Sequence, residues 1–185
     1  MKITVLTGSP HQAGATALLA DKFIQGAEEA GHQVYRFDAA EKGVSPCIAC
    51  DCCGQGCEPC VMDDDMEELN PHLLEADLVA FVTPLYYSGM SAQLKTVVDR
   101  FYGIDNRLCG SGKKTVLLAA CADSAENGWA MDELAAHYKG FTGYLQWPLK
   151  ANTKGYASLD YELSGYRLSC CSSSATVRFR ASPRR

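Results

Sequence analysis

Three apolar runs of strand length constrain this chain most: "KITVLT" (Lys2–Thr7), "DLVAFVTPLYY" (Asp77–Tyr87) and "KTVLLAACA" (Lys114–Ala122). A strand wetted on one face alternates apolar and polar residues, whereas a continuous run suits a strand buried on both faces. Between these runs the apolar period becomes helical. Ala17, Leu18, Leu19, Phe23, Ile24, Ala27 and Ala30 recur at helical spacing before Gly31, a stop residue. In "SAQLKTVVDRFYG", Leu94, Val97, Val98 and Phe101 share a helix face, and "DDDMEELNPHLLEA" leads with acids that favour a helix N-terminus. "GWAMDELAAHYKGF" predicts a further helix, "HQVYRFDA" alternates as a second strand, and "GYLQWPLKA" is expected as a weaker fifth strand. Strands alternating with helices imply a doubly wound α/β domain, a parallel sheet with right-handed crossovers and helices on both faces. Such sheets bind ligands beyond the carboxyl ends of the strands, where the strand order reverses. The loops that matter are therefore Gly8–Thr16, Pro84–Ser91 and Cys121–Gly128.

At 185 residues and 47% hydrophobic, the chain can bury one sizeable core, and a single domain is expected. A formal charge of -5 disfavours non-specific nucleic-acid binding. The opening residues lack the apolar core and cleavage site of a signal peptide, and no run approaches the roughly 18 apolar residues of a membrane helix. A soluble, cytoplasmic protein is expected, with no membrane or nucleic-acid partner. The domain reading assigns residues 1–150 to one unit with a cysteine-rich insert at 47–60, and 151–185 to an atypical basic tail. The last nineteen residues hold five arginines and no acid. A disordered tail and a C-terminus altered from its native sequence both fit that composition.

"TGSPHQAGAT" joins the first strand to the first helix. Its helix-start amides, with the Ser9 and Thr16 hydroxyls, make a donor-rich pocket suited to a phosphate, the plain alternative being a capped turn with Thr16 as the cap. The loop has neither the lysine of a P-loop nor the glycine spacing of a dinucleotide fingerprint. After the third strand, Tyr86, Tyr87 and Gly89 suit a flat heteroaromatic ligand, although packing alone accounts for many such tyrosines. His32, His72 and His137 lack partners at metal spacing and are expected to pack at the surface. Trp129, Met131, Phe141 and Tyr144 fit either a core or an interface, and Asp63–Asp65 reads as a helix start rather than a cation site.

Six of the ten cysteines fall between Cys47 and Cys60, in "CIACDCCGQGCEPC". In a reducing compartment such clustering points to metal or redox chemistry before disulfides. Cys47, Cys50, Cys53 and Cys57 have the spacing of a 4Fe–4S ligand run, with the usual following proline displaced to Pro59. Zinc on the pairs Cys47/Cys50 and Cys57/Cys60, and free or redox-labile thiols, are the other readings.

Taken together, "GSPHQAGAT" and "PLYYSGMSAQLKTVVDR" resemble the phosphate loop and flavin-contact loop of the flavodoxin-like NAD(P)H-dependent FMN reductases. The cysteine block followed by "DDDM" is similar to the insert of their iron–sulfur flavoprotein branch. The resemblance covers about residues 1–150 and implies a five-stranded sheet of order 2-1-3-4-5, with FMN at the ends of strands one, three and four. It implies that Ser9, His11, Gly14, Ala15 and Thr16 surround the FMN phosphate. Pro84, Leu85, Tyr86, Tyr87, Ser88 and Gly89 would flank the ribityl chain and ring edge, and Cys121 and Ala122 would lie on the ring's other side. His11 and Ala15 stand where family loops often carry arginine and asparagine. In that branch Cys60 replaces Cys57 as the fourth ligand, so four of Cys47, Cys50, Cys53, Cys57 and Cys60 would hold a cluster. The function implied is an FMN-dependent oxidoreductase that takes hydride from NAD(P)H and reduces a quinone, a flavin or another small-molecule or protein acceptor. It implies a homodimer or homotetramer and no catalytic nucleophile or general base, since the cofactor carries the chemistry. The alternative is a non-enzymatic electron carrier or redox sensor.

Overall fold

The computed structural model describes residues 1–56, 60–122 and 129–156, the last eight of these by backbone alone. The Arg167–Arg185 tail, with Cys170 and Cys171, lies outside them. Strand β1 (Lys2–Thr7) pairs in parallel with β2 (Gln33–Asp38) on one side and β3 (Leu78–Pro84) on the other, and β4 (Lys114–Cys121) lies beyond β3. The order β2-β1-β3-β4 gives the doubly wound, flavodoxin-like arrangement. Along the outer side of β4 runs the backbone of Leu149–Tyr156, with Leu149 opposite Thr115 and Tyr156 opposite Cys121. The helices are α1 (Ala15–Glu29), α2 (Met66–Glu75), α3 (Ala92–Asp99), the short α4 (Asp105–Leu108) and α5 (Trp129–Tyr144), with 3-10 turns at Cys53–Gln55 and Arg100–Ile104.

The continuous apolar runs are buried on both faces because the sheet separates two cores. Ile3, Val5, Ala80, Val82, Val116 and Leu118 pack towards Leu19, Ala20 and Ala27 of α1. The alternate residues Leu6, Val79, Phe81 and Leu117 pack towards Leu69 and Leu73 of α2, Leu94 and Val97 of α3, and Leu134 and Tyr138 of α5. Burying a side chain such as Phe81 completely stabilises the fold by roughly 1.5–3 kcal/mol. Met131 is buried and Phe141 stacks edge-on against Phe81, whereas Trp129 and Tyr144 are exposed. His72 stacks on Tyr35 at 3.5 Å, and His137 sits edge-on to Phe141.

"GYLQWPLKA" divides differently from the expectation. Gly143 and Tyr144 end α5, and Trp147 turns into the core, its indole N–H donating to the Leu108 carbonyl at 2.9 Å. Pairing with β4 begins only at Leu149. The hydrogen-bonding demand of a buried indole outweighs the weak strand pattern there.

A buried ion pair closes the root of the cysteine-rich insert. Arg100, at the end of α3, reaches Asp64, and both side chains are almost wholly out of solvent. Arg100 also donates to the Ser45 carbonyl at 2.8 Å, while Asp64 accepts from the Ser45 amide at 3.0 Å and the Met66 amide at 3.2 Å. Asp65 accepts from the Gly43 amide at 2.7 Å. The acids expected to start α2 therefore also bind the two ends of the insert to each other.

Burial opposes ionisation of Asp64, but the Arg100 guanidinium and the two amides outweigh it and hold the carboxyl below the ordinary aspartate range. Asp64→Ala, which strands a buried guanidinium, should lower the unfolding free energy by about 3–5 kcal/mol in urea titrations. In the native chain this contribution is complete above the unfolded aspartate pKa of about 3.9 and is lost as pH falls through the lower folded value. Asp64→Asn should accordingly show a weaker loss of stability on acidification below about pH 4 than the native chain does.

Candidate functional site

The strand order reverses between β2-β1 and β3-β4, so the loops after β1 and β3 splay apart and leave a crevice at their carboxyl ends. The first wall is the loop Gly8–Gly14. Gly8 continues the sheet by donating to the Val82 carbonyl at 2.8 Å. A Cβ at Gly8 would fall 2.3 Å from Ser91 Oγ and 2.7 Å from Leu94 Cβ, so only glycine lets this loop lie against the start of α3. The Ser9 hydroxyl accepts from the His11 amide at 3.2 Å and donates to the His11 carbonyl at 3.3 Å, which curls the loop. Gln12 ties the loop's outer side to Glu41 at 2.6 Å.

The chain enters α1 through Gly14, not Thr16. Gly14 is the cap residue, no side chain accepts a hydrogen bond there, and the first turn carries no acid. Thr16 is buried two residues further on, within the first turn, rather than serving as the cap. The first amides of α1 thus present the positive end of the helix dipole without a built-in anion. His11 is exposed beside them, with its Cβ 3.3 Å from where a Gly14 Cβ would stand.

The second wall is a tight hairpin turn. Tyr86 and Gly89 exchange two backbone hydrogen bonds of 3.0 Å, and the two central residues, Tyr87 and Ser88, have φ of 46° and 62°. Positive φ at both central positions marks a type I′ turn, which favours Asn-Gly and strains other side chains. The strained turn projects the Tyr87 ring fully into solvent and leaves Tyr86 partly exposed. Its base is firm: Leu85 donates to the Ala120 carbonyl at 2.8 Å, Thr83 Oγ1 accepts from the Ser91 amide at 3.0 Å, and Ser91 caps α3.

At the third edge, Cys121 is buried at the end of β4 and Ala122 is exposed after it, while residues 123–128 lie outside the described residues. The topology therefore brings Ser9, His11, Gly14, Ala15 and Thr16, then Pro84–Gly89, then Cys121 and Ala122, to one end of the sheet. What the sequence reading missed is the part played by Gly8, which is visible only once α3 is in place.

The cysteine insert has its own geometry. Ala49 and Asp51 adopt positive φ between Cys47 and Cys53, and the Ala49 amide donates to Cys47 Sγ at 3.4 Å. Arg100 Nη2 donates to Cys60 Sγ at 3.5 Å. Cys47 and Cys50 are exposed, Cys53 and Cys60 half-buried, and Cys57 lies outside the described residues. Among the described residues no three Cys, His, Asp or Glu side chains stand together as a metal site.

A family model described as NADPH-dependent FMN reductase matches residues 1–146. The chain is 35% identical over 100 residues to an iron-sulfur flavoprotein of Methanocaldococcus jannaschii, covering 54% of this chain and 51% of that protein. It is 33% identical over 113 residues to an iron-sulfur flavoprotein of Archaeoglobus fulgidus, covering 61% and 51%. The chain spans about half the length of these curated relatives. Among solved structures, an NAD(P)H:quinone oxidoreductase from Methanothermobacter marburgensis has a TM-score of 0.65 at 19% identity, covering 88% of this chain and 86% of that one. That likeness is one of fold.

The turn itself yields a test. Replacing Tyr87–Ser88 by Asn-Gly should relieve the positive-φ strain and raise stability by about 1–2 kcal/mol in urea unfolding. An unchanged midpoint would show that the turn is not strained in solution.

Proposed function

The chain belongs to the NADPH-dependent FMN reductase family, and on that premise we propose that it is an FMN-dependent oxidoreductase, taking hydride from NAD(P)H and reducing a quinone, a flavin or another acceptor. The observation that carries this reading is the crevice between the uncapped start of α1 and the strained Tyr86–Gly89 turn. The residues present fit the cofactor. Free first-turn amides and no acid at the start of α1 suit a phosphate dianion, and an exposed aromatic turn opposite suits a flat ring.

In this reading Ser9, His11, Gly14, Ala15 and Thr16 hold the FMN phosphate, His11 adding a side chain able to carry positive charge. Pro84, Leu85, Tyr86, Tyr87, Ser88 and Gly89 orient the ribityl chain and the ring, with Cys121 and Ala122 on the other side. FMN, when bound, supplies the hydride and electron chemistry. The protein's part is to position the rings and exclude water, so no side chain is assigned as nucleophile or general base. Leu149–Tyr156 is the fifth strand of the 2-1-3-4-5 order, on the strength of its pairing with β4. The expected unit boundary at 150 falls within that strand, so the flavin-binding unit extends through Tyr156.

We further propose that four of Cys47, Cys50, Cys53, Cys57 and Cys60 hold a 4Fe–4S cluster. The thiolate donor set suits iron, and N–H donors already point at Cys47 and Cys60, as cluster sulfurs require. The iron-sulfur flavoprotein relatives support the same reading. Exposed rings at Tyr87, Trp129 and Tyr144 favour a homodimer or homotetramer in which a neighbour covers the crevice. No helix among the described residues is long and apolar enough to cross a membrane, and reduced thiols suit a cytoplasmic setting.

Protein purified anaerobically should bind FMN at micromolar concentration or better and show flavin absorption. It should then oxidise NADH or NADPH with a quinone in steady turnover that depends on FMN. Protein that refuses FMN would overturn the proposal, whereas one-electron reduction without nicotinamide turnover would favour an electron carrier.

A further inference from the structure

The two walls of the crevice meet at one buried residue. Ser91, wholly out of solvent, caps α3 with its hydroxyl, and its Oγ would stand 2.3 Å from a Cβ at Gly8, where the Gly8–Gly14 loop leaves β1. Gly8 in turn donates to the carbonyl of Val82, the neighbour of Thr83. Thr83 is also wholly buried and completes the junction: its Oγ1 accepts from the Ser91 amide at 3.0 Å and donates to the Pro84 carbonyl at 2.8 Å. One hydroxyl therefore closes the root of the loop that carries the Tyr86–Gly89 turn, joining positions eight residues apart. Beyond that closure the turn has its own pair of backbone bonds, and Met90 is buried in the core on the return side.

We propose that Thr83 is a positioning residue for FMN, its hydroxyl holding the Tyr86–Gly89 wall at a set distance from the Gly8–Gly14 wall before the cofactor arrives. The inference rests on the FMN reading of the crevice. The branched shape of threonine suits a buried strand, and valine has nearly the same shape. Valine, however, would take away the partner of the Ser91 N–H and the bond to the Pro84 carbonyl, in a place shielded from water. New partners for those groups require the chain between them to move, and that chain is the wall itself. A cofactor that spans two walls binds the fraction of molecules in which their spacing is right, so its apparent dissociation constant rises as that fraction falls. Thr83 keeps that fraction high without touching the cofactor, which is the usual gain from preorganisation.

The test measures FMN affinity of the full chain by quenching of flavin fluorescence, beside urea unfolding of the FMN-free protein. Thr83→Val should raise the FMN dissociation constant about tenfold, the size of effect expected from one buried hydrogen bond. Thr83→Ser restores the hydroxyl and should bind FMN as the native chain does. Leu73→Ala lies in the core near the end of α2, which leads into the opposite end of β3, and should unfold at lower urea yet keep native FMN affinity. Native affinity in Thr83→Val would overturn the inference. Equal weakening in Thr83→Ser or Leu73→Ala would overturn it too, because packing or stability would then account for the loss. Hydrogen exchange of the native chain decides the matter if Thr83→Val does not fold: without FMN the Ser91 amide should exchange as slowly as the amides of β3, and a freely exchanging Ser91 amide would overturn the inference. A native chain that binds no FMN would overturn the FMN reading, and this inference with it.

Discussion

Everything in this fold follows from β1 being paired on both sides. A strand with neighbours on either edge and helices over either face is kept from water, which is why Ile3–Thr7 is buried throughout and its two threonines hydrogen-bond, Thr4 to the His72 carbonyl and Thr7 to Asp38. The same pairing forces the chain to cross from β2 over to β3, and that crossing makes the reversal in strand order. The crevice is thus a geometric by-product of the best-buried element, and the loops lining it inherit a rigid base. Gly8 shows how tightly the two are coupled, since its amide still belongs to the sheet ladder while its missing side chain makes room for the start of α3.

The two walls of the crevice handle their local energetics in opposite ways. On the α1 side, the helix start is left without a side-chain acceptor, although a serine, asparagine or aspartate at the cap would stabilise it over glycine by roughly a few tenths of a kcal/mol. On the β3 side, the chain accepts positive φ at Tyr87 and Ser88 instead of using the residues such a turn prefers. Both choices forgo stability at positions facing the same opening. At this opening a ligand can satisfy the open polar groups, and the buried sheet makes the local strain tolerable.

How much of this was legible beforehand depends on the range of the interaction that decides each feature. The strands and helices were legible because apolar periodicity is local, and the crevice was legible because strand order and ligand position are linked by topology. A hydroxyl near a helix start is a good cap signal, and it points to Thr16 in the capped-turn alternative, but the backbone already turns two residues earlier, at Gly14. Trp147 reads as part of a strand because its tertiary partner Leu108 is distant in sequence. The Arg100–Asp64 pair was not legible at all: its partners are 36 residues apart, and an arginine on a helix next to an aspartate reads as an ordinary surface residue.

That pair also changes how the cysteine insert should be understood. In this fourteen-residue loop the described residues include two non-glycine residues at positive φ and are mostly exposed, so they bring little apolar burial to set its shape. Its definition comes from its ends, where a buried charge pair costs desolvation that well-packed apolar residues would avoid. Arginine is worth that cost only if its geometry does something an apolar side chain cannot. Here one guanidinium holds a carbonyl, a carboxylate and a sulfur, so the specificity gained is the position of Cys60 relative to Ser45 and Asp64. The insert is therefore ordered from beneath, by a side chain belonging to the α/β core.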